Sequence, residues 1–211
     1  NDEVESERIA TEIVERRLRY GGTYRDFAVL YRGNHQSRMI EMKLQAYQVP
    51  YKLSGGQSFF GRNEIKDIMA YLRLLINPTD DAAFLRVVNT PRREIGPSTI
   101  EKLSEYAAMR NISMIAATTE MGLEQALMPK ALDRLRRFGH WLERITRNAY
   151  TDDPVAAIKE MIDDIDYESY LHQNSGTPHQ AERRMKNVYF LVDQIQKMID
   201  KADELGDECT I

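Results

Sequence analysis

Two short stretches hold residue types at spacings that suit an anion. The first is FAVLYRGNHQSR, Phe27 to Arg38: five apolar or aromatic residues in a row, then Arg32, Gly33 and Asn34, then the start of a helix. In open α/β sheets, ligands lie beyond the carboxyl ends of strands and beside helix N-termini, and Arg32 and Asn34 take that place if FAVLY is a strand. Gly33 lets a partner approach the backbone closely. The second is NTPRREIGPST, Asn89 to Thr99. A loop that ends in glycine and leads into a helix start aims backbone N–H groups outward, and here Arg92 and Arg93 add charge between Thr90 and Gly96. Each stretch also has a plain structural reading. Asn34 would then be a helix cap, with Arg32 paired to a local carboxylate such as Glu41. Residues 89–99 would be a helix–turn–helix corner with Pro97 at the first helical position.

Other chemistries find less support. There is no G-x-x-x-x-G-K-[ST] phosphate loop and no G-x-G-x-x-G after a strand. His35, His140, His172 and His179 lack paired-ligand spacing, so no metal site is expected. Asp80-Asp81 and Asp163-Asp164 are adjacent on helices, where neighbours diverge, and fit capping or solvated roles. Ser37, Ser54 and Ser58 have no His–Asp arrangement around them. Cys209 stands alone, which excludes a disulfide framework and suits a reducing, cytosolic setting. The aromatic pair Phe59-Phe60 could stack on bases, but reads better as a hydrophobic anchor against the helix that carries Ile65. Trp141 sits on an apolar stripe near Phe138 and reads as core or a domain contact.

The 211 residues are 42% hydrophobic and 29% charged, enough for a core and a soluble surface. The net charge of −4 and a pI near 5.7 give no overall basic footprint, so nucleic-acid binding would need a local patch. Basic clusters exist, among them RLRRFGHWLERITR at 134–147 and ERRMKN at 182–187, and these two read as solvated helix faces. No apolar run reaches membrane-spanning length and NDEVESERIA carries no signal-peptide core.

The elements that must position these residues fall into two grammars. Residues 3–19 read as a helix ended by Gly21-Gly22, Phe27–Tyr31 as a strand covered on both faces, 34–47 as a helix capped by Asn34, and Pro50–Leu53 as a second strand. That makes a strand–helix–strand unit of a parallel sheet, and two strands cannot form a stable sheet alone. After Gly55-Gly56, a permissive backbone point, the pattern is helical throughout. Helices are expected at 65–76, after Thr79 as cap, from Pro97, around 113–119, over the stripe Leu132, Leu135, Phe138, Leu142 and Ile145, after Asp153-Pro154, and from Pro178 to about Leu205. The fold class is mainly α: a multi-helical domain (56–211) preceded by a partial α/β segment (1–55).

The stretches VLYRGNHQSR, PYKLSGGQSFF, EIKD, AYLRLLINP, AFLRVVNTP, REIGP, DYESYL and RMKNV closely resemble the bacterial superfamily 1A DNA helicases, the UvrD/Rep/PcrA group, along essentially the whole chain. The resemblance implies a fragment. Residues 1–55 would belong to the second RecA-like motor subdomain (2A), and 56–211 to a helical accessory subdomain (2B) truncated at its end. ATP and Mg2+ would serve the whole protein, a 3′-to-5′ DNA helicase of replication and repair in the cytoplasm, while this piece would not be catalytic. Arg32 would hold a phosphate of single-stranded DNA and Asn34 a sugar or phosphate. Thr90, Arg92, Arg93 and Gly96 would grip duplex, although the family's Gly-x-Gly turn has Glu94 in place of its first glycine. Gly55 and Gly56 would form the hinge between the subdomains. The implied partners are DNA at a single-strand/duplex junction and a replisome or repair protein, with no membrane. The alternative is a protein-interaction or autoinhibitory module that scarcely touches DNA, for which the acidic pI and the acidic edge Asp163, Asp164, Asp166 and Glu168 speak.

Overall fold

The structure, a computed structural model, describes residues 2–151 and 153–205, and for Asn34, His35 and Leu205 the backbone alone. Cys209 lies outside the described residues. The chain divides into two compact units, residues 1–62 and 63–211, and Gly55-Gly56 lies inside the first.

The first unit is built on two helices, α1 (Asp2–Tyr20) and α2 (Asn34–Ala46). Asp2, Glu3 and Glu5 open α1 and Arg17 and Arg19 close it, which matches the helix dipole at both ends. Ala10 and Ile13 of α1 meet Ile40 and Leu44 of α2 and Val49 in a small core. Phe27, Val29 and Tyr31 pack against that core. Among the described residues, however, there is no strand. The FAVLY run is extended but makes no ladder, and Leu30 is 94% exposed. The expected strand–helix–strand sheet is therefore corrected. In an extended segment alternate side chains face opposite ways, so an unbroken apolar run does not tell whether one face or both find cover. Here one does.

The second unit is entirely helical among the described residues. Its elements are α3 (Asn63–Ile76), α4 (Asp81–Val87), α5 (Pro97–Arg110), α6 (Met114–Thr119), α7 (Pro129–Thr151), α8 (Pro154–Asp164), α9 (Tyr167–Gln173) and α10 (Pro178–Leu205), with a 3-10 turn at Met121–Gln125. The stops and starts follow local chemistry. Asp80, not Thr79, caps α4, its side chain accepting from Ala83 N at 2.8 Å, because Asn77 Oδ1 already takes the N–H and hydroxyl of Thr79. Ser113 caps α6, and Asp153 caps α8 ahead of Pro154. Asn111 ends α5 in the left-handed conformation. Helix α9, short and entered through Asp166 at φ 48°, gave no separate sequence signal.

Helix α3 is the pivot. Ile65, Ile68, Tyr71 and Leu75 are buried, and so are two carboxylates on the same helix. Asp67 receives the Tyr167 hydroxyl (2.8 Å) and Arg86 (2.6 Å); Glu64 receives Arg184 (3.2 Å) and Asn187 (2.8 Å). Buried carboxylates survive only when paired and hydrogen-bonded in this way, and the pairs tie α3 to α4, α9 and α10. Burial first, then the Asp67 charge, push the Tyr167 phenol well above its usual range. No helix among the described residues is long and apolar enough to cross a membrane.

Candidate nucleic-acid interface

The loop from Asn89 to Gly96 joins α4 to α5, and its shape is fixed from within. Asn89 Oδ1 accepts from the N–H of Arg93 (3.0 Å) and Ile95 (3.3 Å), while its amide donates to Ile95 O. Two of the N–H groups expected to point outward are thus consumed inside the loop. Arg93 turns inward as well. Its guanidinium donates to the carbonyls of Val87 (2.8 Å), Val88 (3.3 Å) and Pro91 (3.2 Å) and to the Tyr71 hydroxyl (2.7 Å). Phe138, Trp141 and Tyr71 surround it, with ring centroids 4.7, 5.7 and 5.9 Å away. Tyr71 completes the lock by donating to Thr90 O at 2.6 Å. Burial raises the Tyr71 phenol to about 12, against the lowering effect of Arg93. Arg93 therefore shapes the loop, and Thr90 takes part through its carbonyl.

What the loop presents to solvent is Arg92, which has no acidic partner among the described residues. Gly96 caps α5 at φ −69°, and a Cβ placed there would meet nothing within 4 Å. Beside Arg92 the loop and α7 enclose a cleft whose lining includes Arg92, Arg93, Arg134, Arg137, Trp141 and Asp164. Of the four arginines, Arg93 is turned inward, Arg134 pairs with Glu94 and Arg137 with Asp133. Asp164 is already engaged by Trp141 Nε1 at 2.8 Å and by Arg144 at 2.5 Å. The 134–147 cluster is, as expected, a solvated face balanced by acids, Arg137 by Asp133, Arg144 by Glu160 and Asp164 and Arg147 by Glu143, while Arg134 also reaches the 89–96 loop through Glu94. Sequence reading missed Arg134 and Arg137 because their proximity to Arg92 is set by helix packing across some forty residues. Trp141 is half-buried and stacks on Phe138, in keeping with a packing role.

In the first unit, Gly33 rather than Asn34 is the N-cap of α2, and Asn34 is its first residue; the Asn34 side chain lies outside what is described. The Gln36 side chain accepts from the N–H groups of Arg32 and Gly33, each at 3.2 Å, and so holds the turn. Arg32 is exposed and forms no ion pair among the described residues, though it lines a shallow cleft with Asp2 and Glu5. Glu41 is not its partner. That carboxylate is buried and receives the Phe59 N–H (3.1 Å), the Tyr51 hydroxyl (3.0 Å) and the Ser58 hydroxyl, pinning the segment after Gly55-Gly56. Phe59 is fully buried and meets Phe60 edge to face at 5.3 Å, as an anchor would. Gly55 takes φ 87°, which favours glycine. The Arg38 guanidinium is pushed down first by burial and then by the charge of Arg62. Arg32 and Asn34 belong to the first unit, and Arg92 and its neighbours to the second. Among the described residues no cluster of His, Cys, Asp or Glu could hold a metal.

Residues 1–210 match the family model of the UvrD-like helicase C-terminal domain. The chain belongs to that family. This UvrD-like domain is 50% identical over all 211 residues to the ATP-dependent DNA helicase Rep of Salmonella typhimurium, and 49% identical to that of Escherichia coli. It spans 31% of the length of each. With the ATP-dependent DNA helicase PcrA of Staphylococcus epidermidis it shares 35% identity over 164 residues, 76% of this chain and 21% of that relative.

Proposed function

We propose that this chain is the DNA-gripping part of an ATP-driven 3′-to-5′ DNA helicase. Its first unit contributes to the second motor subdomain and touches single-stranded DNA through Arg32 and Asn34. Its second unit is the accessory subdomain and holds duplex at the 89–96 loop, with rotation between the two units setting how much of that grip is engaged. ATP and Mg2+ act in the rest of the whole protein, which works in the cytoplasm on replication and repair substrates. The observation that carries this reading is the exposed Arg92 on a loop locked by Arg93 and Asn89, beside Arg134 and Arg137. A solvated guanidinium on a loop whose backbone is already held suits phosphate contact, because only the side chain remains to be ordered at the moment of binding. Arg93 and Thr90 enter as residues that position Arg92, and Gly96 as the point where the backbone stays open.

The reading is tested by fluorescence anisotropy with a labelled single-strand/duplex junction. The chain is expected to bind weakly, less so as salt rises because neutralised phosphates release counterions, and to hydrolyse no ATP. Arg92→Ala and Arg32→Ala should each weaken binding; unchanged binding in both overturns the site. A protein-contact role is the second reading, favoured by the groove between α8 and α10, where Tyr189 is 54% exposed beside Asp163 and Asp193. A chain that ignores DNA at the lowest salt yet retains a replisome or repair protein would establish that role instead.

A further inference from the structure

Glu94, bonded to the cleft residue Arg134, has a conformation that needs explaining. Its φ is 55°, in the left-handed region that costs any residue carrying a Cβ and costs glycine little. It is held there by one residue of α7. Arg134 donates to the Glu94 carbonyl at 2.8 Å and also to its carboxylate. The Arg134 side chain is only 27% exposed, whereas that of Glu94 is 63% exposed. Arg137, one turn along, is 78% exposed and pairs at 2.7 Å with Asp133 of its own helix. Solvated pairs of this kind are weak and easily exchanged.

We infer that Arg134 and Arg137 complete a phosphate-binding rim with Arg92, and that Glu94 holds Arg134 as an internal stand-in for the phosphate until DNA displaces it. This rests on the duplex-binding reading of the same loop. An arginine fork serves carboxylate and phosphate alike; here one prong holds the Glu94 carboxylate and the other the Glu94 carbonyl, so a phosphate can replace the carboxylate on the first prong. The charges around the cleft fit this exchange. Asp164 is committed to Trp141 and Arg144, and Asp133 is committed to Arg137. Glu94 is thus the carboxylate that a polyanion must displace to reach this prong of Arg134. Its effect is to lower resting affinity, which suits a surface that must release DNA as well as hold it.

The test uses the 211-residue chain and a fluorescent duplex with a single-strand tail, read by anisotropy across a salt series. Glu94→Gln is expected to tighten binding about threefold, the size expected for freeing one solvated ion pair. The slope of log affinity against log salt should steepen by about 0.9, one added phosphate contact. Glu94→Gly, which also relaxes the backbone, should show the same gain, and Arg137→Ala should weaken binding. In Glu94→Gln/Arg134→Ala the gain should vanish. If Arg92→Ala weakens binding while both Glu94 variants leave it unchanged, the stand-in is overturned and the duplex reading survives. A gain that persists without Arg134 overturns it too. If neither the natural chain nor Glu94→Gln binds at the lowest salt, both readings fall.

Discussion

The turn at Arg32 and the loop at Arg92 both present an exposed arginine, but they are built to different standards. One neutral side chain, Gln36, holds the Arg32 turn through two N–H groups. The Arg92 loop is held by the Asn89 amide, by four donations from Arg93 and by the Tyr71 hydroxyl, under a cover of aromatic rings. The difference teaches where a phosphate contact can be prepared in advance. The loop has its shape before any ligand arrives. The Arg32 turn has few internal restraints, so its order depends on what lies against it.

The contrast breaks most visibly at Arg93. Arg93→Ala leaves three carbonyls and the Tyr71 hydroxyl without their donor and opens space over Phe138 and Trp141, so a loss of about 3 kcal/mol in urea unfolding is expected. Arg93→Lys should recover only part, because an ammonium cannot reproduce the fork. A loss below about 0.5 kcal/mol, the range of ordinary surface changes, would mean that the loop is not locked by this residue.

Alkali should loosen the same lock. Tyr71 titrates at about 12 in the folded chain, above the ~10 of an unfolded tyrosine. Its contribution is fully present below pH ~10 and is lost as pH rises through about 12, because the unfolded chain releases the proton first. Urea midpoints should therefore fall between pH ~10 and about 12, and Tyr71→Phe should be less stable at neutral pH but flatter across that range. Gln36 does not titrate, so the Arg32 turn has no such dependence of its own.

Gln36→Ala removes the acceptor shared by the Arg32 and Gly33 N–H groups, a capping loss of about 1 kcal/mol. Arg92→Ala should leave stability within about 0.5 kcal/mol, since its side chain serves no internal partner among the described residues. A larger stability loss at Arg92 than at Gln36 would reverse the contrast.

Much of this was legible in the residues. The helical stripes and the Pro97, Pro154 and Pro178 starts follow from local chemistry, and they fell where periodicity placed them. That each stretch carries an exposed arginine was legible too, though not which one in the second. Three things were not. Asp80 displaced Thr79 as a cap because Asn77 competes for the threonine two residues on. Which of Arg92 and Arg93 faces inward depends on Tyr71, Phe138 and Trp141, which come from two distant helices. The Glu41 carboxylate, offered to Arg32 by helical proximity, is captured by Ser58 and the Phe59 N–H. In each case a nearer or better-desolvated partner won, and a pattern of residue types does not rank partners.

The smallest expected effect falls at Gly96 and separates the two roles of the loop most sharply. Its φ of −69° suits any residue, and a Cβ there meets nothing within 4 Å, so the fold does not require glycine. Serine at this N-cap would accept from the first turn of α5, and Gly96→Ser is expected to stabilise the chain by a few tenths of a kcal/mol, ~0.3. If a phosphate seats against the backbone beside Arg92, the added side chain intrudes on it and affinity should drop about twofold to threefold even as stability rises. Opposite signs in the two measurements would show that the glycine serves the ligand rather than the corner. Binding that rises or holds with stability would place the phosphate elsewhere along the rim, towards Arg134 and Arg137.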